Sequence, residues 1–194
     1  MHVENNNLDM IGAKEATENL FKCLNIKLPN ETPERFVKMI YTLTAYQNIS
    51  NKEIAEAVNK IFEVDNHTNS KNMVIIRDID AFNFCEHHIA LMYDMKISVA
   101  YIPRKFVLGL SKIVRLVDMV CKRLQLQEKI GNDILEIMSI LTKSSDIAVH
   151  IKAKHSCVTA RGIHNVSAET VTTNFSGAFL EDETLKTSFT NSLK

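Results

Sequence analysis

The 194 residues include 23 Lys+Arg and 23 Asp+Glu, so no net charge advertises nucleic acid, a membrane surface or an acidic substrate. Hydrophobic content of 45% and charged content of 24% describe an ordinary globular chain, long enough to bury one sizeable core. No run approaches the ~18 apolar residues of a membrane span, the polar opening residues lack a signal peptide's apolar core, and Cys23, Cys85, Cys121 and Cys157 do not resemble a secreted disulfide scaffold, so a reducing cytoplasm is expected.

In chain order, residues 9–24 carry Met10, Ile11, Leu20, Phe21 and Leu24 on a loose helical stripe. Thr32-Pro33 predicts an N-cap and first helical residue, followed by Phe36, Met39, Ile40 and Leu43 at helical spacing. Ser50 and Glu53 form the signature of a capping box, with Ile54, Val58 and Ile61 inward. Asp65–Asn72 is a polar linker, which divides an N-terminal helical region (1–65) from a second unit (66–194). Strands are predicted at 73–79 and 95–101, helices from Ser111 to about Leu124 and from Gln127 to about Leu141, and strands again at 147–153 and about 168–175. Two strands, two helices and two strands predict an α+β fold, an antiparallel four-stranded sheet with two helices packed on one face.

Three clusters carry chemistry. The run FNFCEHHIALM at 82–92 sets a cysteine, a glutamate and two histidines among apolar residues. Cys85 and His88 have types and spacing that suit zinc, and they read equally as a core cysteine and a satisfied histidine. On the strand from Ile147, odd positions share a face, so His155 and Cys157 would continue it and face the same side, roughly 6–7 Å apart. Three ligands rather than four would leave a zinc position open for water. Next, Ser111 reads as an N-cap with Lys112 and Arg115 in the first turn, where cations oppose the helix dipole. Free amides, a hydroxyl and two cations there make a phosphate site, or a merely solvated turn. Last, Gln127-Glu128 opens a helix; the carboxylate either complements the dipole or, with the amide, reads the edge of a purine.

CEHH at 85–88, AYIP at 100–103, GLSK at 109–112 with Arg115, QLQE at 125–128, HSC at 155–157, RG at 161–162 and TVTTNFSGAF at 170–179 occur in an order that resembles the GTP cyclohydrolase I family. The resemblance runs from about Thr32 to Phe189. It implies a tunnelling fold (T-fold) and a homodecamer with active sites between subunits. It implies zinc held by Cys85, His88 and Cys157, and catalysis by His87 and His155, with His155 the acid at nitrogen 7 of guanine and His87 serving the later ribose rearrangement. Glu86, Gln127 and Glu128 would hold guanine or support its pocket. Ser111, Lys112, Arg115, Arg161 and Arg35 would bind the triphosphate. The implied reaction is zinc-dependent opening of the imidazole ring of GTP, releasing formate and forming 7,8-dihydroneopterin 3'-triphosphate.

This chain departs from the family pattern in places. Asn83 stands where a serine is usual and Phe84 is bulkier than usual. Tyr93-Asp94-Met95 is one residue longer than the usual glycine-containing turn, and Lys186-Thr187-Ser188-Phe189 replaces an arginine-x-glutamate-phenylalanine pattern. Two other classes remain open: a T-fold relative acting on another purine or pterin, and a non-catalytic zinc-stabilised assembly protein.

Overall fold

The computed structural model describes residues 8–59, 61–63, 72–104 and 106–194. The linker at Asp65–Asn72 and the division at 65 and 66 lie almost wholly outside these residues. Three helices lead: α1 (Met10–Cys23), α2 (Thr32–Leu43) and α3 (Asn51–Val58). The capping box forms as expected, with Ser50 Oγ accepting from the Glu53 amide and the Glu53 carboxylate accepting from the Ser50 amide. The start of α2 differs by one residue. Thr32 is already helical, its amide donating to the Pro29 carbonyl at 3.0 Å, and Glu31 takes the N-cap position without a side-chain cap bond.

The central sheet is antiparallel in the order β2-β3-β5-β6: β2 (Val74–Cys85), β3 (Ala90–Tyr101), β5 (Ile147–His155) and β6 (Thr170–Phe175). A separate short pair joins β1 (Ile61–Glu63) to β4 (Phe106–Leu108). Helices α4 (Leu110–Cys121) and α5 (Gln127–Thr142) cover one face, as the sequence predicts. Met95, Ile97, Val99 and Tyr101 of β3 and Ile147, Val149, Ile151 and Ala153 of β5 point into this layer and are buried. They meet Ile113, Leu116, Val117 and Val120 of α4 and Ile130, Ile134 and Ile137 of α5. Each fully buried side chain of this kind stabilises the fold by ~1.5–3 kcal/mol. Residues Ile54, Ala55 and Val58 of α3 belong to the same core.

Three features exceed the sequence reading. First, β2 and β3 run through 82–85 and 90–94, so the Cys-Glu-His-His run is the tip of one long hairpin. Periodicity fails there because each strand is broken by a bulge. The register jumps from Ile76↔Val99 to Ile79↔Ile97, and again from Ala81↔Met95 to Asn83↔Met92. Asp78 and Asp94 sit at the two bulges with φ of 55° and 52°, a left-handed conformation that aspartate tolerates better than most residues. The longer Tyr93-Asp94-Met95 segment is therefore absorbed inside the sheet. Second, the opposite sheet face is closed at one end by α7 (Ala178–Glu181) and α8 (Glu183–Ser192), where Phe175, Phe179 and Phe189 pack with ring centroids 6.2–6.3 Å apart. Third, β5 stops at His155 and the chain turns into the short helix α6 (Ser156–Thr159). Among the described residues, no helix is long and apolar enough to cross a membrane.

Candidate active site

The hairpin tip is fixed from three sides. Cys85 pairs with Ala90, and the turn between them closes when the Ile89 amide donates to the Cys85 carbonyl at 2.9 Å, with Ile89 at φ 50°. Glu86, His87 and His88 project from this turn, exposed, and the two imidazoles contact edge to face at 6.3 Å. Asn83, 1% exposed, donates from Nδ2 to the Cys121 and Arg123 carbonyls, both at 2.7 Å, so the end of α4 is tied to β2 just before Cys85. The 125–128 run lies alongside, since Phe84 bridges Leu124 and the Gln125 amide donates to the Phe84 carbonyl at 3.3 Å.

The third wall is the end of β5. Met92 pairs with His155, and the Ser156 hydroxyl donates to the Leu91 carbonyl at 2.8 Å. Tyr93, re-aimed by its bulge, donates to Thr159 Oγ1 at 3.0 Å and so props the helical turn that carries Cys157. Cys157 therefore lies on α6 rather than on an extended segment, and the spacing expected for a continued strand does not hold. The strand ends because backbone pairing to β3 stops at Met92↔His155.

His155 is half-buried, and its Nε2 lies 2.8 Å from Gln127 Oε1. Burial pushes its pKa down, opposed by the neighbouring Glu128 carboxylate. Gln127 is 1% exposed and is held by Ile151, Thr170 and Thr172, so it faces the protein and not a ligand; Glu128, the next residue, is exposed. Gly131, one turn further on, lets α5 come this close to β6: a Cβ there would sit 2.0 Å from Asn174 Oδ1. The threonine partners of Gln127 and the Tyr93 prop escape sequence reasoning. Alternating threonines on a predicted strand are their only signal.

Two thiols and an imidazole suit zinc by donor type. Cys85 is buried and Cys157 half-buried, both free, and neither thiol nor the His88 ring has a hydrogen bond among the described residues. Their elements adjoin at one end of the sheet, yet among the described residues no three His, Cys, Asp or Glu side chains are gathered closely enough to hold a metal ion.

The phosphate cluster is built differently from expectation. Gly109 is the N-cap of α4, and Lys112 donates its amide to the Gly109 carbonyl at 2.8 Å. Ser111 is thus inside the first turn and Arg115 lies a turn beyond it. Ser111 and Arg115 are exposed and Lys112 half-exposed. None of Lys112, Arg115 and Arg161 has a carboxylate partner among the described residues. Unpaired cations beside a helix start fit an anion better than an intramolecular bridge does. Arg161 stands in the exposed loop after α6, and Arg35, exposed on α2, is ion-paired to Glu31, the N-cap of that helix, which packs chiefly beside α1.

A model of the family described as GTP cyclohydrolase I matches residues 10–194. GTP cyclohydrolase 1 of Clostridium acetobutylicum is 50% identical over 158 residues, 81% of this chain and of that protein. The enzyme of the same name from Ruminiclostridium cellulolyticum is 50% identical over 157 residues, 80% of each. Among solved structures, the archaeosine synthase QueF-Like in its apo form is 23% identical, covering 57% of this chain and 98% of that one with a TM-score of 0.46. From Met10 to the C-terminal residue, and at half of the positions aligned with the clostridial enzymes, the chain belongs to the GTP cyclohydrolase I family.

Proposed function

We propose that this chain is a GTP cyclohydrolase I, which opens the guanine imidazole ring of GTP by hydrolysis at carbon 8, breaks both bonds of that carbon to nitrogen so that it leaves as formate, and yields 7,8-dihydroneopterin 3'-triphosphate. The observation that supports the reading is that the elements carrying Cys85, His88, His155 and Cys157 adjoin at one sheet end, in a chain 50% identical to a GTP cyclohydrolase 1. Cys85, His88 and Cys157 would hold a zinc ion, which when bound supplies Lewis acidity that makes water nucleophilic near neutral pH. His155 donates a proton at nitrogen 7; a histidine suits this because its ordinary pKa of about 6.5 lets it give and retake protons near neutrality. His87, exposed on the turn, serves the later ribose opening and rearrangement. Glu86 and Glu128 take the hydrogen-bonding edge of guanine, and Gln127 supports the pocket from within. Ser111, Lys112, Arg115, Arg161 and Arg35 take the triphosphate.

A second copy of the chain completes the site. Asn83 binds the C-terminal end of α4 beside Cys85, while Ser111 is at the opposite end. Ten residues at the helical rise separate them by about 15 Å. A homo-oligomer, a decamer by family resemblance, brings the cations of one subunit to the cysteines of another. The reaction runs in the cytoplasm, where the two thiols stay reduced. The test is incubation of zinc-loaded protein with GTP, following formate and the fluorescence of the oxidised pterin. Both should appear, and His155→Ala should bind GTP yet lose on the order of 10²–10⁴ in turnover. No formate from the loaded parent, or near-parental release from the variant, overturns the reading.

A further inference from the structure

One amide of the site directs both of its ends to protein partners. Gln127 lies at the first position of α5, 1% exposed, wedged between β5 and β6. Its Nε2 lies 3.2 Å from the Ile151 carbonyl, 3.1 Å from the Thr170 carbonyl and 3.2 Å from Thr172 Oγ1. Two of these partners are backbone carbonyls, which only accept hydrogen bonds. The nitrogen end of the amide must therefore face the strands, and the amide cannot be turned over without setting its oxygen against two carbonyl oxygens. The oxygen end is consequently the one aimed at His155, 2.8 Å from its Nε2. A carbonyl oxygen accepts only, so His155 Nε2 must carry the hydrogen.

We infer that Gln127 is a positioning residue, which keeps a hydrogen on His155 Nε2 and leaves Nδ1 as the ring nitrogen that takes up a proton and, from the imidazolium, delivers it to substrate. This rests on the role given to His155 above, and it separates two neighbours that the sequence sets side by side. Glu128 is exposed and free to meet a base edge. Gln127 has its amide hydrogens directed to the strands and its oxygen to the imidazole, so it reads the histidine and not the purine. The chain holds this arrangement through the sheet itself. Ile151 lies four residues before His155 on β5, and Thr170 and Thr172 are on β6, paired to Ala153 and Ile151. The imidazole is thus oriented from its own sheet through one amide, as the carboxylate of a catalytic triad sets its histidine's tautomer.

The direct test is the ring nitrogens of His155 in the intact protein. With histidine labelled by nitrogen-15, long-range proton–nitrogen correlation distinguishes the two neutral tautomers at about pH 8, above the ordinary histidine pKa, and His155→Ala assigns the signals. The Nε2–H pattern is expected, and an Nδ1–H pattern overturns the inference whether or not the protein turns over GTP. Gln127→Met then separates positioning from base reading. It should lower kcat on the order of 10²–10⁴-fold, the scale lost when an acid–base imidazole is mis-set. The KM for GTP should stay within about threefold, and the preference for GTP over inosine triphosphate should be unchanged, because recognition of the base does not pass through this residue. A variant that keeps kcat, or loses its discrimination between the two nucleotides, contradicts the assignment. Should the variant fail to fold, the tautomer of the parent decides alone.

Discussion

Asn83 stands just before the Cys-Glu-His-His turn, and its replacement by alanine weighs two opposing effects. The residue is buried, 1% exposed, and donates two hydrogen bonds of 2.7 Å to carbonyls at the end of α4. These carbonyls belong to a helix terminus that has no intrahelical donors left to offer. Losing both bonds removes ~1–3 kcal/mol at the usual net value. Against this, Asn83 Oδ1 is itself buried with no partner. Deleting that orphan returns on the order of 1 kcal/mol. The donors win by number, and Asn83→Ala should destabilise by about 1–2 kcal/mol, a fall in Tm of roughly 2–8 °C for a chain of this size. Asn83→Ser, with one donor, should recover about half of the loss. Urea melts at matched protein concentration measure both variants, with unchanged slope as the check that only stability moved. An alanine variant as stable as the parent, or more so, would refute the reasoning and make the amide a net burden.

Three further outcomes follow from the same geometry. Elemental analysis of reduced protein should find about one zinc per chain, and Cys157→Ala should lose it; stoichiometric zinc retained in that variant removes Cys157 from the ligand set. Arg115→Ala should weaken GTP binding by roughly 1.5–3 kcal/mol, about 10- to 150-fold, the loss of a charge-assisted contact read by calorimetry; parental affinity would make the α4 start a solvated turn. His150, 3.0 Å from Thr173 Oγ1, has its pKa pushed down by burial and by Lys152, with Glu169 and Asp78 opposing. The unfolded chain then binds more protons than the fold, so stability should fall as pH drops below about 6.5. His150→Gln should flatten that slope in pH-dependent melts, and an unchanged slope assigns it to other groups.

The core was legible because each element has a clean period. The apolar stripe of α5 and the odd positions of β5 are buried where alternation and helical spacing put them. The capping box at Ser50 formed because its two bonds are local. What periodicity could not give was anything decided across strands. The hairpin around Cys85 runs on past the alternating stretch because αL aspartates at Asp78 and Asp94 absorb extra residues without breaking pairing. Cys157 leaves the strand face because β5 ends with its last partner on β3, a fact no local pattern encodes. Gln127 looked like half of a purine-reading pair, since its burial depends on Thr170 and Thr172, some forty residues away. Lys112 does stand in the first turn of α4, where a helix would not choose a cation for its own stability, whereas Arg115 lies one turn further on because the helix begins at Leu110, before Ser111.

The measurement that bears most directly on the ring-opening chemistry follows carbon 8 of the substrate. GTP labelled with carbon-13 at that position, incubated with the zinc-loaded protein and observed by NMR, should yield formate carrying the label in equal amount to the pterin triphosphate. Label that stays in an intact purine, or in an open-ring product with no free formate, would contradict the assignment of this chain as a GTP cyclohydrolase I.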